Sequence, residues 1–219
     1  AALIRILVSV ASCVLFEFLF QKVTKQKVVI ANLSACVTGV MMALVCPPTA
    51  PVWMFVVGAA VAMIVAKGLF GGIGSNVFNP ALTGRAFMFL SFPAAMGASW
   101  LTPKTISAVD AVSSATTLSA IKTGTFVMQD DTLWNYFIGN RAGCIGETST
   151  LLILISFAFL LFAHIIDWRA PLAMVGTVAV CSLIAGENLP MSLMTGGLMF
   201  GATFMVTDYA TAPITKKGR

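Results

Sequence analysis

Apolar runs close to twenty residues long recur along this chain, and no other feature restricts its fold as strongly. Each run is about long enough to cross a hydrocarbon core roughly 30 Å thick. Lipid offers backbone N–H and C=O groups no partner, so a crossing segment must satisfy them within a helix or a closed barrel. The runs are continuous rather than alternating, which excludes barrel strands and predicts an all-α, polytopic membrane fold. Composition agrees, since 10% of the residues are charged where ordinary soluble domains carry about 25%. With 58% hydrophobic residues and a mean hydropathy of +0.95, a soluble domain is excluded.

Candidate spans lie near Ala1–Phe20, Val28–Cys46, Pro51–Ala66, Pro80–Phe92, Thr150–Ile166, Pro171–Ala185 and Leu189–Val206, about seven segments in all. Lysine and arginine collect in cytoplasmic loops. If the loop with Lys22, Lys25 and Lys27 is inside, alternation places Lys67 with Arg85, then Arg169, then Lys216, Lys217 and Arg219 inside as well. The other face holds Lys104, Lys122 and Arg141 together with Asp110, Asp130, Asp131 and Glu147. Three regions follow: first-half helices over 1–98 with a short helix at 80–92, an extracytoplasmic loop over 99–148, and second-half helices over 149–219. The chain opens at Ala1 without methionine and stops at Arg219 while a repeat is unfinished, so both ends are expected to continue in a longer protein. The five cysteines, Cys13, Cys36, Cys46, Cys144 and Cys181, form no C-x-x-C pair and read as small packing residues rather than zinc ligands or a disulfide framework.

Thr38-Gly39-Val40-Met41-Met42 followed by Thr49-Ala50-Pro51 is similar to Thr195-Gly196-Gly197-Leu198-Met199 followed by Thr211-Ala212-Pro213, with five more intervening residues in the second copy. In the topology above the copies run in opposite directions, the arrangement of inverted repeats around a midplane site. Gly71-Gly72-Ile73-Gly74 leads into Asn79-Pro80, which reads as a cap and first residue of a helix. That helix meets Pro93 after about 21 Å, too short to cross alone, so a half-membrane helix is expected. Its N-terminus and free amides can hold an anionic or electron-rich group, and a tight interhelical turn is the bland alternative. Arg85 favours function, because ionisable residues at membrane depth are costly. Glu17 and Asp208 are acids near spans that can touch a cation or, more simply, pair with a lysine. His164, beside Asp167 and Arg169, reads as structural.

In the outer loop stands Asp110-Ala111-Val112-Ser113-Ser114-Ala115-Thr116-Thr117-Leu118. This resembles the flavin-attachment sequence of the sodium-pumping NADH:quinone reductases and Rnf complexes, typically Asp-Gly-x-Ser/Thr-Gly-Ala-Thr. Ala111 and Ser114 stand where that pattern has glycines, and Thr117 is a second candidate hydroxyl. The glycine segment 71–87, Gly143-Cys144-Ile145-Gly146-Glu147-Thr148-Ser149 and Thr207-Asp208-Tyr209-Ala210-Thr211-Ala212-Pro213 resemble the same family in the same order. The chain is therefore similar to the family that unites the D-type subunits of Rnf complexes with the B-type subunits of the sodium-pumping reductases, and its last residues lean toward Rnf.

The resemblance implies FMN joined to Thr116 by a phosphoester, attached by a flavin transferase, with Asp110, Ser113, Ser114 and Ala115 completing the motif. It also suggests that Asn79, Thr83 and Arg85 contact this flavin or a second, non-covalent one, riboflavin or FMN, and that Glu147 contacts a flavin or a partner subunit. Glu147 has an ordinary boundary position as its bland reading. A urea-transporter-like fold of two inverted halves in the bacterial inner membrane is implied as well. The implied partners are the FMN-carrying G-type subunit, the A-type and E-type membrane subunits and the C-type subunit of an Rnf complex, together with membrane lipid and no nucleic acid. The implied role is an electron relay coupled to Na+ or H+ movement between ferredoxin and NAD, with no catalytic residue or metal ligand of its own. The B-type subunit of the quinone reductase, a small-solute channel and a structural scaffold are the competing readings.

Overall fold

The computed structural model describes residues 2–97, the backbone of residues 100–101 and 113–114, and residues 131–211. It divides into two compact units, Ala1–Ser99 and Trp100–Arg219. The described residues are predominantly helical, as the continuous apolar runs require.

In the first unit, α1 (Ala2–Val23) runs for 22 residues, about 33 Å of helix. Among the described residues it is the one helix long and apolar enough to cross a bilayer unaided. Its buried residues are Ser9, Ser12, Cys13 and Glu17, whereas Leu3, Leu7, Leu15 and Leu19 are exposed. A helix of a water-soluble protein does the reverse and buries its apolar stripe. Small residues on the inner face let helices approach closely. A Cβ on Gly39 would lie 2.6 Å from the Cα of Val10, and the Ser9 hydroxyl donates to the Gly39 carbonyl at 2.7 Å.

The second helix, α2 (Ser34–Leu44), is shorter than the expected Val28–Cys46. Val28, Val29 and Ile30 are β-branched and stiff at χ1, which disfavours helix. Leu33 then takes a left-handed conformation at φ 56°, and the Asn32 side chain accepts from the Ser34 amide at 3.1 Å, starting the helix there. The third, α3 (Val52–Ala60), continues directly as a π-helical segment, Val61–Gly68. It is followed by α4 (Pro80–Ser91) and α5 (Pro93–Gly97). The core between these helices is built of alanine, methionine and cysteine, among them Cys13, Met42, Cys46, Met54, Met63 and Met88, with Phe55.

The second unit opens with a minimal antiparallel pair, β1 (Trp100–Leu101) and β2 (Ser113–Ser114), in register Trp100 to Ser114. Helices α6 (Thr132–Ile138), α7 (Thr150–Phe162), α8 (Arg169–Ile184) and α9 (Leu189–Met194) follow, then α10 (Leu198–Phe200), which runs into a π-helical segment, Gly201–Met205. The expected continuous span over Leu189–Val206 is thus broken at residues 195–197. Gly196 sits at φ 67°, a left-handed conformation that glycine adopts without a Cβ penalty. The two sequence copies differ locally: Thr38 and Gly39 lie inside α2, whereas Thr195, Gly196 and Gly197 form the break.

Candidate functional site

At the start of α4, Asn79 caps as its sequence position suggests. Its Oδ1 accepts from the amides of Ala81 at 3.0 Å and Leu82 at 3.2 Å, and Pro80 takes the first turn. The Thr83 hydroxyl donates to the Asn79 carbonyl at 3.0 Å, so the two residues form one local unit. Gly71, Gly72 and Gly74, all at positive φ, turn the chain into this start. Arg85 lies one turn in and is half-buried. Replacing Asn79 by alanine removes the acceptor from two amides and is expected to cost about 1 kcal/mol, whereas Asn79→Asp retains most of it. Thermal unfolding in detergent checks the difference.

The second unit holds a buried polar centre around Arg141, which is 7% exposed. Its Nε donates to the Thr148 carbonyl at 2.9 Å, and its two terminal nitrogens donate to the carbonyls of Met194 and Glu147. The guanidinium also stacks over the Tyr136 ring at 5.4 Å. Burial pushes the Arg141 pKa down, and Tyr136 and Glu147 oppose that shift. One planar cation therefore ties the 139–148 loop to the end of α9 just before the break. Glu147, also buried, packs its carboxylate on the break itself, since a Cβ on Gly197 would lie 2.6 Å from Glu147 Oε1. Sequence alone assigns Arg141 only to a loop charge count, although its place between Gly139-Asn140 and Gly143 in a helix-connecting loop is a visible signal.

A second buried charge centre lies in the first unit. Lys67 Nζ forms an ion pair with Glu17 Oε1 at 2.6 Å and donates to the Ser34 hydroxyl at 2.6 Å. Pairing with a lysine is thus the arrangement Glu17 adopts. Lys67, counted as an inner-loop residue from sequence, is instead 4% exposed in the π-helical segment. Its wider turns place Ala62, Met63, Ala66 and Lys67 on the buried side. Opposite charges inside two apolar runs, Glu17 in the first and Lys67 at the end of the third, are the sequence signal for this pair.

Of the attachment motif, Ser113 and Ser114 are described as backbone in β2, and Asp110, Ala115, Thr116 and Thr117 lie outside the described residues. His164 takes φ 55° at the end of α7, its ring nitrogen 2.9 Å from the Phe162 carbonyl, consistent with a structural role. Asp208 accepts from the Ala210 amide at 3.2 Å within a turn. Cys13, Cys46 and Cys144 are buried packing residues, while Cys36 is half-buried and Cys181 exposed.

The sequence matches the family described as NQR2, RnfD, RnfE over residues 1–219. It is 40% identical over 220 residues to the D subunit of the Na+-translocating ferredoxin:NAD+ oxidoreductase complex of Acetobacterium woodii, covering 100% of this chain and 68% of that protein. Against the D subunit of the proton-translocating ferredoxin:NAD+ oxidoreductase complex of Clostridium ljungdahlii, identity is 36% over 232 residues, covering 100% and 70%. Against the B subunit of the Na+-translocating NADH-quinone reductase of Ectopseudomonas mendocina it is 38% over 220 residues, covering 93% and 52%. With a match that runs from the first residue to the last, the chain belongs to the NQR2, RnfD, RnfE family.

Proposed function

We propose that this chain is a multi-pass subunit of the bacterial cytoplasmic membrane that carries FMN on Thr116 and relays electrons in an ion-translocating ferredoxin:NAD+ oxidoreductase complex. The observation that carries the proposal is the sequence Asp110 to Thr116, an acceptor-type threonine preceded by small residues, inside a family member matched over its whole length. Relatives named as D subunits of ferredoxin complexes match all of this chain, which favours the ferredoxin complex over the quinone reductase.

The residues present suit a phosphoester-linked flavin. Thr116 supplies the hydroxyl, and Ser114 and Ala115 leave room for a transferase to bring a phosphate up to it. The pairing of β2 with β1 holds the backbone extended two residues ahead of that hydroxyl, which suits access by a transferase. A bound flavin supplies one- and two-electron acceptance. Asn79, Thr83 and Arg85, at the start of α4, are the residues we assign to contact with the covalent flavin or a second, non-covalent one, and Glu147 is assigned by itself to contact with a flavin or a partner subunit.

Membrane placement is supported by α1, where Leu3, Leu7, Leu15 and Leu19 face outward while Ser9, Ser12 and Glu17 are buried. We read the fold as two inverted halves of the urea-transporter kind, on the likeness of Thr38-Gly39-Val40-Met41-Met42 to Thr195-Gly196-Gly197-Leu198-Met199. The attachment loop then faces away from the cytoplasm, where the FMN-carrying G-type subunit would pass electrons to it, and the A-type, E-type and C-type subunits are the further partners within the complex. The ion is Na+ or H+, the relatives' names giving one of each.

Ultraviolet in-gel fluorescence tests the proposal. The denatured, acid-treated subunit from cells with the flavin transferase is expected to give a fluorescent band, and the same chain from cells without it is expected to give none. A dark band in both samples moves the function to a solute channel or a scaffold.

A further inference from the structure

We propose that Lys22, Lys25 and Lys27, on the turn that ends α1, bind the headgroup of an anionic phospholipid. The proposal rests on the reading that this chain lies in a membrane, and it goes beyond that reading by naming the residues and the lipid class they select.

The turn is a built structure. The Gln26 amide donates to the Gln21 carbonyl at 2.9 Å and the Lys25 amide to the Lys22 carbonyl at 3.3 Å, the pair of bonds that closes a helix in a Schellman motif. The Val29 amide then donates to Gln21 Oε1 at 2.9 Å and folds the chain back onto the helix end. Lys25 holds the left-handed position of the motif at φ 55°, where glycine is usual because every other residue carries a Cβ penalty. The sequence thus keeps a lysine where the backbone alone favours glycine, and all three lysines are exposed.

Their charge has no counterpart in the first unit. Residues 1–99 hold the cations Arg5, Lys22, Lys25, Lys27, Lys67 and Arg85, and Glu17 is the single acid among them. That acid is buried and paired with Lys67. The C-terminal end of the helix dipole favours a cation, but its pull fades within the last turn. Lys22 is in that turn, whereas Lys27 lies four residues beyond Val23.

The same end of the unit is apolar where it is exposed. Val23, Val28 and Leu33 stand out around the lysines. The π-helical segment ends alongside, since a Cβ on Gly68 would lie 2.8 Å from the Phe20 ring, and Leu69 and Ile73 beyond it are exposed as well. Apolar side chains interleaved with lysines suit the boundary between acyl chains and headgroups, where lysine stems lie along apolar surface and their ammonium groups reach the phosphates. Anionic lipids of the cytoplasmic leaflet attract basic residues placed just outside a span. A protein partner fits less well, because protein interfaces are depleted in lysine and anchored by Trp, Tyr and Arg. Residues 20–33 and 68–78 contain none of those three.

The experiment is photolabelling of the purified complex containing this chain in phosphatidylcholine bilayers, with a trace of diazirine-bearing phosphatidylglycerol or phosphatidylcholine, mapped by peptide mass spectrometry. At low ionic strength the phosphatidylglycerol probe is expected to label residues 23–33 at least about tenfold more than the phosphatidylcholine probe does. Replacing all three lysines by glutamine is expected to abolish that preference, and each single replacement to reduce it by about two- to fivefold. Lys25→Gly also relieves the left-handed backbone, so it is expected to weaken the preference while the complex unfolds at the same or a higher temperature, a split that a merely structural lysine does not give. Phosphatidylcholine labelling of α1, α7 and α8 reports the membrane reading by itself. Labelled helices with no difference between the two probes at residues 23–33, or a preference that survives the triple variant, overturn the proposal and leave the membrane reading standing. Labelled helices with residues 23–33 protected from both probes assign the lysines to a partner subunit and also overturn it. Helices that no probe labels remove the membrane reading and the proposal together.

Discussion

Thr116→Ala is expected to give a complex that assembles normally, carries no covalent flavin on this subunit, and loses ferredoxin-to-NAD+ electron transfer by at least about a hundredfold, the scale on which losing a positioned reacting group costs an enzyme. The substitution deletes one hydroxyl from the attachment motif and leaves every described helix untouched. Assembly and stability are therefore expected to stay close to wild type, because threonine to alanine deletes one hydroxyl and one methyl and adds no bulk or charge. Thr117→Ala separates the two adjacent hydroxyls: it keeps the fluorescent band if Thr116 is the acceptor, and it alone loses the band if the attachment is one residue later. Thr116→Ser retains a hydroxyl and should regain part of the flavin. A solute channel or a scaffold predicts full turnover in all three variants, so retained turnover in Thr116→Ala would end the relay reading.

Several parts of this fold are legible in the sequence because their signals are local. The continuous run of α1 needs only its own residues to be recognised, and Asn79-Pro80 states a helix start through a side-chain acceptor and a fixed φ. The start of α2 is harder to place because Val28-Val29-Ile30 is apolar enough to read as span, while its β-branched side chains and the left-handed Leu33 keep it out of the helix. The break at residues 195–197 is hidden in the same way, since Gly196 and Gly197 are flanked by apolar residues and only the backbone angle reveals the turn.

The long-range charges are the least legible. Lys67 and Glu17 are 50 residues apart and meet only because α1 packs on the π-helical segment. Lys67, counted from sequence with the loop lysines, lies in the last turn of the π-helical segment and is buried. Arg141 is equally opaque, because its three carbonyl partners lie up to 53 residues away and carry no side-chain signature. The stretch Asp110 to Thr116 is the opposite case, since the expectation placed on it rests on residue identity alone.

The second large effect belongs to Arg141. In Arg141→Ala the carbonyls of Glu147, Thr148 and Met194 lose a charged donor, and each hydrogen bond to a charged group is worth about 1.5–3 kcal/mol. The bonds share one cation and are not additive, so the expected cost is about 3 kcal/mol or more, read from chemical unfolding of the detergent-solubilised complex. Lysine cannot repair it, because a point charge on a flexible stem does not reproduce a planar fork that meets three carbonyls and a tyrosine ring together. Arg141→Lys should thus recover less than half of the loss. The damage should also be local in a defined way. With the 139–148 loop released from Met194, Glu147 loses its seat on Gly197, and hydrogen exchange should accelerate first across residues 194–201 while α1 and α2 remain protected. Uniform acceleration across both units would mean that Arg141 supports the whole fold. If the relay reading is right, flavin attachment at Thr116 survives this variant while electron transfer falls, because the hydroxyl that accepts the flavin is intact and the shell around Glu147 is not.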